Sequence, residues 1–178
     1  MTRWWLRLQP RKAEKMKIEL IQPFINAADA VLAETLQCST RIGDVTMDEE
    51  AYRRKGIASL VTIQGDIEGR IIFDIDTPTA AKVASYLTGT PVQESDDVSR
   101  ETVCELANMV IGSAITALND QGFRFKINPP VVHSDDLGEK SSEDQEALVM
   151  CFDTDSGNIF MNIAMRYNGK RRSDNRPS

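Results

Sequence analysis

Between Ser99 and Gln121 the chain carries its longest uninterrupted helical period, SRETVCELANMVIGSAITALNDQ. At roughly 100° per residue, Val103, Leu106, Ala107, Val110, Ala114, Ala117 and Leu118 fall on one side of a wheel. Glu101, Glu105, Asn108, Gly112, Thr116 and Asn119 fall on the other. The first set is a stripe that must face a core. The second is a polar strip with a glycine in its middle. Glu105 and Asn108 are neighbours on that strip, because residues three apart on a helix lie side by side. A polar helix face is most often simply solvated. Whether this one is a site depends on the rest of the chain.

The chain has 178 residues, enough for one domain with a sizeable core. Its net charge is −6, yet basic residues crowd both ends: Arg3, Arg7, Arg11, Lys12, Lys15 and Lys17 at the start, Arg166, Lys170, Arg171, Arg172 and Arg176 at the finish. The middle is therefore more acidic than the total, which argues against nucleic acid as a partner of the folded part, since phosphates need a cationic face. Cys38, Cys104 and Cys151 form no CxxC pair and read as reduced, mostly buried thiols of a cytoplasmic protein. No segment approaches the ~20 consecutive apolar residues of a membrane span, so no membrane insertion is expected. Residues 1–16 read as a basic, poorly ordered arm, or as the product of a start upstream of Met16; a membrane-surface role for Trp4 and Trp5 is the lesser alternative. The domain proper is expected over 17–167, and 168–178 is a polar, basic tail with no apolar period, expected to be disordered.

In chain order, Pro23 suits the first turn of a helix, followed by a helical period from Phe24 to Leu36 with Phe24, Ile25, Ala28, Val31, Leu32 and Leu36 on its apolar side. Strand-like runs follow at Thr40–Met47, Gly56–Gln64 and Arg70–Asp76, the last two joined by a hairpin loop at Gly65–Gly69. Asp76-Thr77-Pro78 starts a short helix that stops at Thr88-Gly89. Ser99 can cap the long helix, and Gly122 ends it. Further strand-like runs lie at Phe123–Ile127, Ala147–Phe152 and Ile159–Arg166, with a turn at Asp155–Asn158. This is an α+β domain with a pseudo-two-fold repeat of a helix plus three strands: two long helices packed on an extended, mainly antiparallel six-stranded sheet. Sliding the first helix along the chain lays Phe24-Ile25-Asn26 on Leu106-Ala107-Asn108, Ala30 on Gly112 and Leu36 on Leu118. In that register Pro23 meets Glu105, so the first half keeps an asparagine and lacks the acid.

From Ile18 to Tyr167 the chain resembles the CheC/CheX family of chemotaxis phosphatases, which remove phosphate from the aspartyl phosphate of CheY-type response regulators. The resemblance rests on the helix and strand order and on Glu105-Leu106-Ala107-Asn108, which looks like the family's E-x-x-N motif. Where the family often has Asp or Ser four positions before that Glu, this chain has Glu101, and Pro130, beside Pro129, stands near the place of a family proline. The resemblance implies a phosphatase for a phosphorylated CheY-type regulator, with Glu105 and Asn108 catalytic. Its single E-x-x-N is CheX-like and implies a homodimer. The implied metal is the Mg2+ of the partner receiver, with no cofactor of the chain's own.

The chemistry fits those residue types. Hydrolysis of an acyl phosphate needs a water held in line with phosphorus and neutralised charge around the transferring group. A side-chain amide both accepts and donates hydrogen bonds, so Asn108 can orient that water. A carboxylate one turn away, Glu105, can pair with the receiver's lysine and fix the register. Glu101 would steer the partner, while Gly112 and Thr116 complete a partner-binding strip on which the glycine lets a backbone come close. Other residues do less. His133 is the only histidine, which with scattered cysteines gives no zinc set. Ser59 and Ser113 have no visible base. The acidic run Asp135–Glu146 reads as a solvated loop, with a calcium site as its alternative. The rival to catalysis is an adaptor of the same fold that binds a receiver, a flagellar protein or a chemoreceptor protein. Burial of Asn108 would favour that rival.

Overall fold

The computed structural model describes residues 18–48, 53–133 and 147–168. The basic arm, the whole of the acidic run and nearly all of the expected tail lie outside them. The elements are α1 (Ile18–Leu36), β1 (Arg41–Asp48), β2 (Ile57–Gly65), β3 (Ile67–Ile75), α2 (Thr77–Thr88), α3 (Asp97–Asp120), β4 (Phe125–Ile127), β5 (Val131–His133), β6 (Ala147–Thr154) and β7 (Gly157–Tyr167).

The strands form one sheet in the order β1-β6-β7-β3-β2-β4, with β5 also on β2, and every pairing is antiparallel. This order reads the same when β1 is exchanged with β4, β2 with β6 and β3 with β7. The repeat expected from the sequence is thus present in the topology, with β3 and β7 at its centre. The sheet has a seventh strand beyond the six expected, because a further three-residue strand, β5, follows Pro129-Pro130 past the end of the expected run and pairs with the opposite end of β2 from β4.

All three helices share one core with the sheet, and α1 packs chiefly on α3. Phe24 and Leu32 of α1, Val83 of α2, and Leu106, Val110 and Leu118 of α3 are fully buried with Ile71, Phe73, Phe152 and Ile163. The second face of β3 is mixed, as its alternation predicts. Ile72 packs there with Ala58, Leu60 and Val149. Arg70 donates from Nη1 to Asn162 Oδ1 at 2.6 Å, and the Asp74 carboxylate accepts the backbone N–H groups of Lys55 and Gly56 at 2.7 and 3.1 Å.

Two helix starts differ from the sequence reading. Pro23 lies inside α1, not in its first turn. A mid-helix proline costs about 3 kcal/mol, but the added turn buries Leu20 and Ile21, at 0% and 2% exposure. Each such side chain contributes about 1.5–3 kcal/mol, so the longer helix wins. Ser99 is not the cap of α3. The helix starts three residues earlier, at Asp97, Asp96 takes the cap position, and Ser99 is buried with its hydroxyl donating to the Gln93 carbonyl at 3.2 Å. The short helix follows its signals: Asp76 accepts the Thr79 N–H at 2.8 Å, and Gly89 closes α2 at φ 71° with its N–H on the Ser85 carbonyl. By length and composition α3 also passes as a membrane span, with a mean hydropathy of 1.2 over its most apolar window, against the expectation that no segment approaches one. Most of its apolar residues are nevertheless packed in the core, Val98 and Met109 being exposed.

Candidate functional site

Val103, Leu106, Ala107 and Val110 hold α3 down on the core, all at 1% exposure or less. The rotation of the helix is thereby fixed, and the opposite strip is turned outward. Glu101, Glu105, Asn108, Gly112, Thr116 and Asn119 are all exposed. Ile111 and Ile115, absent from the wheel's core stripe, are buried as well. They widen the apolar face on the side that adjoins Asn108.

Along the N-terminal half of α3 runs an open groove of ≈ 820 Å³. Three of the expected residues line it, Glu101, Glu105 and Asn108. Asp97, Glu101, Glu105 and Met109 form one row at i, i+4 spacing, and Arg100, Cys104 and Asn108 form a second. The groove therefore carries three carboxylates against one guanidinium. Among the described residues, the side chains of Glu105 and Asn108 have no hydrogen bond or ion pair, so both are available to a partner. Burial pushes the Cys104 thiol above its ordinary pKa, with the charge of Arg100 pulling the other way. The wall opposite α3 is Val132, which β5 brings in by pairing with Ser59 of β2.

Gly112 and Thr116 continue the strip beyond the groove. A Cβ built on Gly112 would meet nothing within 4 Å, so the chain's own fold does not require a glycine there. The Thr116 hydroxyl donates back to the Gly112 carbonyl at 3.0 Å.

Sequence reasoning missed Asp97, Arg100, Cys104, Met109 and Val132. The first four were legible as the flanks of the polar strip. Val132 was not, because only the β5–β2 pairing carries it to the helix.

The first half holds the counterpart groove, of ≈ 450 Å³, where Glu19, Gln22, Pro23 and Asn26 of α1 face Ser113 and Ala117 of α3. Asn26 Oδ1 accepts a hydrogen bond from Gln22 Nε2 at 2.8 Å, and Pro23 stands where the acid would be. Ser59 is fully buried, and His133 is half-buried on β5 opposite Ala58. Among the described residues, no group of three or more His, Cys, Asp or Glu is placed to hold a metal.

Residues 57–153, more than half of the chain, match the family model described as Chemotaxis phosphatase CheX. The CheY-P phosphatase CheX of Thermotoga maritima is 26% identical over 128 residues, 71% of this chain and 83% of that protein. A solved CheX–CheY–BeF3–Mg2+ complex from Borrelia burgdorferi contains a chain 33% identical, with TM-score 0.67, over 84% of this chain and 99% of that one. A CheC-like superfamily protein from Shewanella superposes with TM-score 0.76 at 21% identity, over 85% of this chain and 99% of that one, and shows the fold alone. The order of its strands, the E-x-x-N strip turned outward on α3 and these matches agree: the chain belongs to the CheX family of chemotaxis phosphatases.

Proposed function

We propose that this protein hydrolyses the aspartyl phosphate of a CheY-type response regulator, with one active centre per chain. The observation that carries the reading is the exposure of Glu105 and Asn108 together, one turn apart in one groove. It is supported by a relative named as a CheY-P phosphatase and by one found in complex with CheY.

In this reading α3 lays its strip across the receiver's phosphorylation site. Asn108 holds a water through its amide, in line with the phosphorus. As that water's oxygen forms a bond to phosphorus, the bond to the aspartyl oxygen breaks, releasing inorganic phosphate and the free carboxylate. The receiver's own Mg2+ and lysine neutralise the charge that develops. Glu105 pairs with that lysine and sets the register in which Asn108 meets the water. Asp97 and Glu101 make the approach electrostatically favourable. The protein acts in the cytoplasm as a homodimer in this reading, which light scattering of the purified chain tests.

The deciding experiment is phosphate release from receivers phosphorylated with acetyl phosphate and Mg2+, with wild type, Asn108→Ala and Glu105→Ala. Acceleration by wild type that Asn108→Ala loses, with binding retained, supports water placement. Full activity in Asn108→Ala, or no acceleration by wild type, rejects the catalytic reading and leaves the adaptor.

A further inference from the structure

The groove contains something that water placement and lysine pairing do not use. Met109 follows Asn108 directly and is 44% exposed. It ends the acidic row Asp97, Glu101, Glu105 on the same side of α3. Val132, half-buried against the main core, lines the same groove from β5, an element distant in sequence that pairs with β2. Single exposed apolar side chains need no explanation. An exposed methionine and a half-buried valine from different elements, lining one groove with the candidate reacting pair, make an apolar notch at the end of a charged row.

We propose that Met109 and Val132 form a specificity notch that seats one apolar side chain of the CheY-type receiver beside its phosphorylation site. This rests on the proposed phosphatase function and names the feature of the substrate that the site reads. Charge argues for the occupant. Three carboxylates against one guanidinium leave the groove acidic, and the receiver's lysine and Mg2+ supply the complement. The notch is continuous with that row, so a receiver docked on Glu105 and Asn108 covers Met109 with its own surface. An unbranched thioether is suited to such a place, because it adapts to the shape it meets. The contact is the same in the ground state and the transition state. It therefore governs KM and leaves kcat alone.

The test is steady-state turnover of the phosphorylated receiver by full-length protein carrying Met109→Ser, Met109→Glu, Met109→Leu or Val132→Thr. Loss of a buried apolar contact is expected to raise KM about tenfold in Met109→Ser, and further in Met109→Glu, with kcat within about twofold of wild type. Met109→Leu, which keeps the apolar volume, is expected to restore KM, and Val132→Thr to raise it in the same direction. Unchanged unfolding midpoints for the Met109 variants, whose side chain is outside the core, exclude a merely structural effect. KM unchanged in Met109→Glu overturns the proposal while leaving the phosphatase reading intact. A fall in kcat at constant KM overturns it too, since the notch would then act on chemistry. If Met109→Glu alters the sedimentation of the free protein and not the receiver's KM, the notch belongs to a second copy of the chain and the proposal fails. Absence of turnover by wild type on any CheY-type receiver removes the phosphatase reading and this inference with it.

Discussion

Glu105 and Asn108 both face solvent, while Leu106 and Ala107 between them are 1% and 0% exposed. One turn of helix thus carries two kinds of residue, and substitutions should separate them cleanly. Asn108→Asp keeps the size of the side chain but replaces the N–H donor with a second negative oxygen facing the phosphoryl group. Its kcat is expected to fall by about 10²-fold, the scale set by losing one positioned polar group. The urea midpoint should stay at the wild-type value. Phosphate release and equilibrium unfolding, run on the same preparation, check both halves.

Leu106→Ala should do the reverse. A fully buried leucine cut back to alanine costs about 2–5 kcal/mol in a core that cannot collapse fully. The unfolding free energy is expected to drop by that amount, with turnover per folded molecule close to wild type at low temperature. Activity lost in proportion to unfolding satisfies this prediction. Activity lost in a fully folded sample would place Leu106 in the chemistry.

Gly112 separates stability from function in a different way. Glycine inside a helix is about 0.5–1 kcal/mol worse than alanine, and a Cβ here meets nothing of the chain itself. Gly112→Ala is therefore expected to raise the thermal midpoint of the isolated protein. If a partner's backbone passes over this position, the same change weakens receiver binding. Calorimetry together with titration against a BeF3-loaded receiver reads both effects.

Cys104 reports on the groove. Its thiol is held protonated above the ordinary range, mainly by desolvation. Thiolate is the reactive form, so alkylation by iodoacetamide at pH 7.5 should be slower than for an unhindered cysteine. It should accelerate as pH rises through that elevated value. A bound receiver is expected to slow the labelling of Cys104 further, mapped by peptide mass spectrometry with Cys38 and Cys151 as internal references.

What could be read from the residues depended on how much of each element is decided locally. In α3 the wheel alone separates Val103, Leu106 and Val110 from Glu105 and Asn108, and the long strand β3 announces itself by the alternation of Ile71, Phe73 and Ile75. Asp76 and Gly89 bracket α2 because caps are local chemistry. By contrast β5 is three residues with two valines and no period, and it exists because β2 offers it an edge. The extra turn before Pro23 is stabilised by tertiary burial of Leu20 and Ile21, against the local preference of proline for a helix start. Ser99 has the chemistry of a cap, but Gln93 captures its hydroxyl across a turn. The E-x-x-N pair was legible in the candidate site. The apolar wall that completes the groove was not, since it comes from the sheet.

The central position of β3 and β7 governs how the molecule can be made. Ile67 pairs with Tyr167 and Ile75 with Ile159, and among the described residues β1 pairs with β6. During synthesis the first helix, its strands and the whole of α3 leave the ribosome before the strand that joins the two halves exists. Until then β3 presents an open edge of Ile71, Ile72 and Phe73, and β1 has no neighbour before β6 is made. Pairings this distant in sequence make closure of the sheet slow and leave the nascent chain prone to aggregation. A truncation ending before Gly157 should be insoluble, even though it retains every residue of the candidate centre.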